Sequence, residues 1–296
     1  MTITTEATGL TDAGSRSAND DIALLTSLSS GRDAATRRLA EILPPANCLA
    51  PDHLDIRQLL NHLESGGENT VLYKAWRDIL APRSKHSLAE ARDEDCWYAD
   101  LVRYRHGTLA DGQPVRSRGH WNAPGQVELF QTLTGRTLML VALRTPAGRD
   151  HVATAVCEPG QVYVVPCGAW HVTYVLEGPA LVFNIYTDAV PDARGARGAA
   201  LDPQLKYHRQ APPAVSVRRT ADSVLSVATA GADRVRAERS MPLDTGQAAE
   251  WAVRWIPQGA SLADFYEHGD TPELENLLAA ASTDPTTGWS LHQLDR

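Results

Sequence analysis

The chain lacks any run of about 18 consecutive apolar residues, so no membrane-crossing helix is expected. Its first residues, Met1 to Ala18, are polar and rich in Thr and Ser. They do not have the basic-then-apolar layout of a secretory leader. Basic charge is also scarce. With 28 Lys+Arg against 36 Asp+Glu the net charge is −8, so no broad basic field exists to displace counterions from phosphates. Neither a nucleic-acid nor a membrane partner is expected. The four cysteines, Cys48, Cys96, Cys157 and Cys167, show no C-x-x-C spacing, which excludes a zinc-ribbon or thioredoxin-type motif and argues against a disulfide framework. Free thiols in a reducing cytoplasm are the expected state. No internal repeat is visible. What is present is enough apolar material for a core: 43% of the 296 residues are hydrophobic and 22% charged, allowing one large domain or two small ones.

Residues 1–20 have too little hydrophobicity to offset ordering entropy and are expected to be disordered. Over residues 21–90 apolar residues recur at helical spacing: Ile22, Leu25, Leu28, then Ala35, Leu39 and Ile42, interrupted by Gly31 and ended by Pro44-Pro45. Leu54, Leu59, Leu60 and Leu63 predict a second helix, and Leu72 to Leu80 a short third one. The character changes near Cys96. Short β-type runs follow at Tyr98–Tyr104, Val127–Leu133, Thr137–Leu143, His151–Val156, Gln161–Val165, His171–Leu176 and Leu181–Tyr186. They are punctuated by turn residues such as Gly135, Pro159-Gly160 and Glu177-Gly178-Pro179, the pattern of an all-β sandwich or barrel over residues 95–220. A strand is expected near Val215–Arg218, and residues 221–296 are expected to form a mixed α/β extension with strands near Ser223–Thr229 and Trp251–Trp255 and a helix starting at Thr271-Pro272-Glu273. Trp251 and Trp255 fit a core role.

Two segments carry chemistry. The first runs Gly119-His120-Trp121-Asn122, then Glu128 and Gly135; the second is Gly160, Pro166, Gly168 and His171. In a strand the side-chain period is two, so His120 and Asn122 share a face, as do Glu128, Phe130 and Thr132. Two imidazoles and a carboxylate from three strands make a ligand set for one divalent ion (iron, manganese, zinc or nickel). Asn122 either adds an amide oxygen to that set or binds substrate. His151 is either a substitute ligand or solvent-facing. Cys167, lacking a local base, fits a small buried residue better than a nucleophile. Arg116, Arg118, Arg194 and Arg197 are candidate guanidinium donors to an anion, and Arg116 and Arg118, alternating with Val115 and Ser117, alternatively decorate an outer sheet face.

The spacing Gly-x5-Pro-x-Gly-x2-His from Gly160 to His171 resembles the second cupin motif, and Gly119-His120-x-Asn122…Glu128…Gly135 resembles the first, with asparagine in place of its second histidine. The runs SRGHWNAPGQVELFQTLTG, RTPAGRD, EPGQVYVVPCGAWHVTYV and PALVFNIYTDA are similar to cupin-type (archaeal) glucose-6-phosphate isomerases over about residues 98–220. The resemblance implies a mainly β cupin fold, a double-stranded β-helix or jelly-roll barrel, with a helical N-terminal extension and a mixed C-terminal segment. It also implies metal ligation by His120, Glu128 and His171, with Glu128 as the catalytic residue that moves a proton between adjacent sugar carbons. Asn122 stands where the family has a ligand histidine. Phe130 offers no phenol two residues after the glutamate. The run Pro191-Asp192-Ala193-Arg194-Gly195 replaces the family's acidic-aromatic one.

The leading expectation is a metal-dependent cupin enzyme acting on a small polar molecule by aldose–ketose isomerase or tautomerase chemistry. Its site would be His120, Glu128, His171 and Asn122 at the metal, with Asn122, Arg118, Phe130 and Thr132 on the substrate. Two alternatives stay open: an iron-dependent oxygenase of secondary metabolism, and a non-catalytic small-molecule-binding cupin. By analogy with paired cupin sheets, a homodimer is expected.

Overall fold

The computed structural model describes residues 16–43, 54–84, 96–122, 126–144, 150–165, 168–187, 213, 215–219, 225–229, 256, 259–269 and 292–293. The architecture is mainly β. In chain order the elements are α1 (Ala18–Ser29), β1 (Ala35–Arg38), a 3-10 turn (Leu39–Ile42), α2 (Leu54–Glu64), β2 (Val71–Ser84), β3 (Cys96–Tyr104), β4 (His120–Trp121), β5 (Glu128–Arg144), β6 (Asp150–Cys157), β7 (Val162–Val165), β8 (Trp170–Thr187), β9 (Val215–Arg219), β10 (Leu225–Thr229), α3 (Leu262–His268) and β11 (His292–Gln293).

One antiparallel sheet runs β1-β2-β3-β8-β5-β6-β11, with β4 added beside β8 and β7 beside β5; β9 and β10 pair separately. The strands β5 and β8 are its spine. Sequence spacing predicts each as two short strands, broken at Gly135 and at Gly178. Instead each is continuous, and their pairing slips repeatedly between Thr132 and Thr137. A Cβ on Gly135 would lie 2.8 Å from the Pro179 carbonyl oxygen and 2.9 Å from that of Glu177. The glycine thus lets two long strands bend together without ending. The bend creates two half-sheets. The first holds β1, β2, β3, the end of β8, the start of β5 and β7; the second holds β4, the start of β8, the end of β5, β6 and β11.

Three apolar layers follow from side-chain alternation. Val102, Phe130 and Val182 from the first half-sheet meet Met139, Val141 and Val175 from the second, forming the interior. Trp97, Leu101, Leu129, Phe183 and Ile185 point the other way from the first half-sheet and are covered by α1 and α3 through Leu25, Leu262 and Tyr266. Trp121, Trp170, Val172 and Tyr174 cover the outside of the second, joined by Val217 of β9. Burial of each large apolar side chain contributes roughly 1.5–3 kcal/mol. Two covered faces also explain why the strands read as near-continuous apolar runs.

The N-terminal segment departs from its helical expectation. Ala35 to Ile42 forms β1 and the 3-10 turn, and the expected helix over Leu72–Leu80 is the middle of β2. The apolar positions of β2 mimic helical spacing because its register slips between Trp76 and Leu80. Leu72 and Ala75 face the interior, whereas Ile79 and Leu80 face the outer layer. Asp78, at φ 50°, marks the bulge. Helix α1 begins as a capping box: Ser17 Oγ accepts from the Asp20 N–H while Asp20 Oδ2 accepts from the Ser17 N–H at 2.9 Å. Helix α3 was not foreseen. The strand expected over Trp251–Trp255 and the helix from Thr271 lie outside the described residues, as do residues 1–15.

Candidate metal centre

His120 owes its inward aim to the glycine before it. Arg116 bridges Tyr174, and His120 pairs with His171, so four steps along one strand face three along the other. The extra residue lies in a bulge that holds Gly119 at φ 75°, where a Cβ would strike the Trp170 ring at 2.5 Å. Arg116 opposes Tyr174 of the outer layer. Without the bulge, simple alternation from Arg116 would turn His120 outward as well. With the bulge, His120 points inward and Trp121 joins the outer cluster.

His171 sits directly across from His120, with ring centroids 4.3 Å apart. It also opposes Val141 of the interior. Glu128 opens β5 in the first half-sheet, two residues before the interior residue Phe130. The three ligands therefore come from both half-sheets and meet between them. Their ligand atoms all lie within 4.8 Å of one another. Glu128 Oε2 is 2.9 Å from His171 Nε2 and 3.8 Å from His120 Nε2. With metal–ligand bonds near 2.1 Å, neighbouring ligand atoms sit about 3.0–3.4 Å apart, so these separations bracket what one ion requires.

The donor chemistry fits an ion as well. Oε2 of Glu128 pairs with His171 Nε2 at 2.9 Å, while Nδ1 of His171 and both amide atoms of Asn122 are buried with no hydrogen bond among the described residues. A buried polar atom without a partner needs an occupant nearby. Burial alone would raise the Glu128 carboxyl, but His171, then His120 and Arg77, pull it below the ordinary carboxylate value, so it is ionised at neutral pH.

Asn122 continues the ladder beyond β4, its N–H donating to the Ala169 carbonyl at 2.8 Å. It shares the inward face of His120, its side chain is fully buried, and both amide atoms lack partners among the described residues. Phe130 packs its ring 5.5 Å from that of His171 and forms a wall. Thr132 is buried deeper along β5, where its hydroxyl pairs with that of Thr137 at 2.9 Å. Arg118 is exposed, and its backbone hydrogen-bonds Tyr73. Arg116 lies on the outer side opposite Tyr174, in keeping with the outer-face alternative. Arg194, Arg197, Cys167 and the side chain of His151 lie outside the described residues. Cys157 is a buried free thiol that burial pushes up to about 12, so it is no nucleophile.

Sequence reasoning missed a second polar group on the interior face. Arg77 of β2 pairs through Nη1 with Asp100 Oδ2 on β3. Asp100 also accepts from the Asp78 N–H at 3.0 Å and hydrogen-bonds Tyr186, the residue opposite Glu128. Asn184, opposite Phe130, has a buried Oδ1 without a partner. The row Arg77, Asp100, Asn184 and Tyr186 thus crosses three strands toward Glu128. The helical spacing of Leu72–Leu80 hid Arg77, since in a helix it would have been an ordinary exposed position.

Among the described residues no helix is long and apolar enough to cross a membrane. No protein-family model and no curated protein matches the chain. Solved structures similar to parts of it include recombinant oxalate oxidase in complex with glycolate, at 14% identity over 40% of this chain and 51% of that one, TM-score 0.29. The cupin domain of Schizosaccharomyces pombe Cnp3 aligns at 14% identity over 39% of this chain and 64% of that one, TM-score 0.27. KdgF from Halomonas sp. aligns at 14% identity over 39% and 77%, TM-score 0.27. The chain spans about half the length of the oxalate oxidases it matches, 42% and 51%. Superpositions this partial carry no weight on function. The cupin-type β fold rests on the bent antiparallel sheet and on the two motifs that it brings together.

Proposed function

We propose that the chain is a metal-dependent cupin enzyme acting on a small polar substrate by isomerase or tautomerase chemistry. The observation that carries this reading is the meeting of His120, Glu128 and His171 within 4.8 Å, beside the buried amide of Asn122 that has no partner among the described residues. A divalent ion held there supplies Lewis-acid polarisation of a carbonyl or hydroxyl oxygen. The chain's own residues do the rest. Glu128 is ionised, and its carboxylate would accept a proton from a carbon next to a substrate carbonyl. Phe130 presses on His171 and excludes water from one side of the site. The Asn122 amide, buried with no partner among the described residues, offers its Oδ1 to the ion, or Oδ1 and the Nδ2–H donors to a substrate hydroxyl.

A second reading rests on the ligand count. Two imidazoles and one carboxylate leave coordination positions open, the arrangement that also suits iron(II) and dioxygen. Elemental analysis of the protein purified without chelators, followed by turnover assays on sugar phosphates under air and under argon, separates the readings. Turnover that persists under argon supports the isomerase. Turnover that needs air and iron supports the oxygenase. A protein that takes up no metal contradicts both.

A further inference from the structure

We infer that Arg77 forms an anion subsite at the mouth of the metal pocket, and that the substrate is a multi-carbon molecule carrying a carboxylate or phosphate. The proposal rests on the metal-site reading above, and its test is arranged so that the two fail separately.

Among the described residues Arg77 is held by one end. Its hydrogen bond runs from Nη1 to the fully buried Asp100, while half of its side-chain surface is exposed. A guanidinium has five N–H donors in a planar fork, so one carboxylate leaves the outer edge open to a second anion. Asp100 does not need Arg77 alone, because the Asp78 N–H and Tyr186 also bond it. This anchoring holds the guanidinium in place before any ligand arrives, which lowers the ordering cost of binding.

Charge points the same way. Arg77 and Asp100 cancel, and a divalent ion beside the single charge of Glu128 leaves the pocket positive. An anion is therefore favoured once metal is present. Distance adds the size requirement. Asp100 lies on β3 opposite Asn184, which faces Phe130, so Glu128 is two strand spacings across and two residues along, or about 12 Å away. A ligand that touches both the ion and Arg77 has to bridge a gap of this order. The side chain of Asn184, on the strand between them, has an unpartnered buried oxygen ready to accept from a hydroxyl along that path.

The test uses the full-length protein loaded with manganese. Affinities for glucose 6-phosphate, gluconate and neutral glucose are measured by calorimetry in wild type, Arg77→Gln, Arg77→Lys and the charge-neutral pair Arg77→Gln/Asp100→Asn. The expected result is that an anionic probe binds wild type more tightly than glucose. Arg77→Gln and the double variant should lose roughly tenfold to a hundredfold of that preference, with glucose affinity and metal content unchanged. Arg77→Lys should retain part of it. The double variant guards against unfolding caused by an unpaired Asp100. Phosphate against carboxylate preference identifies the anion. If glucose binds wild type as well as both anions do, or if the preference survives in the folded double variant, the subsite does not exist. Absent metal uptake with an Arg77-dependent anion preference overturns the metal reading alone.

Discussion

His120 and His171 face each other across an antiparallel pair, rings 4.3 Å apart, only because one extra residue precedes His120. That residue lies in the bulge at Gly119, and substituting the glycine tests the link between backbone and site. Gly119→Ala is expected to cost about 2–4 kcal/mol, through its positive φ and the clash with Trp170, and to lower metal uptake. Gly31→Ala has the same φ problem at 76° but open space, so it should cost about 1 kcal/mol and leave metal content intact. Denaturant titration and elemental analysis of both variants check this. Equal metal content in the two would mean that the bulge does not aim His120.

Asn122 is the one position where the first motif is altered, and its amide is buried without partners. Replacing it with histidine should tighten the ion, because imidazole is the stronger ligand for first-row metals. Chelator competition measures the change. Unaltered affinity in a folded Asn122→His protein would show that position 122 does not face the metal.

Burial pushes the Asp100 carboxyl up to about 6, against the pull of Arg77 and Tyr186. An acid whose folded value is raised binds its proton more tightly when folded, so ionised Asp100 costs stability at neutral pH. That cost fades as pH falls through about 6 toward the unfolded value near 4. Asp100→Asn removes the titration. Relative to wild type the variant should gain stability on going from acid to neutral pH, by up to about 3 kcal/mol. A difference that stays flat, or falls with rising pH, would show that Asp100 is not the strained carboxyl described here.

Much of this site was visible in the sequence because motif residues occupy positions that backbone geometry dictates. Gly160 is an example. The Gln161 N–H bonds the Glu158 carbonyl across Pro159-Gly160, and Gly160 takes φ 83°, the pattern of a turn that needs glycine at its third position. Alternation put Glu128 on one face with Phe130 and Thr132, and His171 with Thr173 and Val175, and the motif resemblance pointed to those faces as the ligand-bearing ones. What escaped were features that break alternation. The bulge at Asp78 made β2 look helical and concealed Arg77, and the glycine bends at 135 and 178 made two long strands look like four. Asp100 gave no signal because an isolated acid in an apolar run shows neither its partner nor its face. The pairing of β2 with β3 is a long-range property that local pattern does not contain.

The central claim is that His120, Glu128 and His171 together hold one divalent ion. Elemental analysis measures this most directly, on wild type, His171→Ala and Glu128→Ala, each purified without chelators and then offered iron, manganese, zinc and nickel in turn. Wild type should retain about one ion per chain, and each variant less than about a tenth of that while remaining folded by circular dichroism. Wild type that retains no metal, or variants that retain as much as wild type, would contradict it.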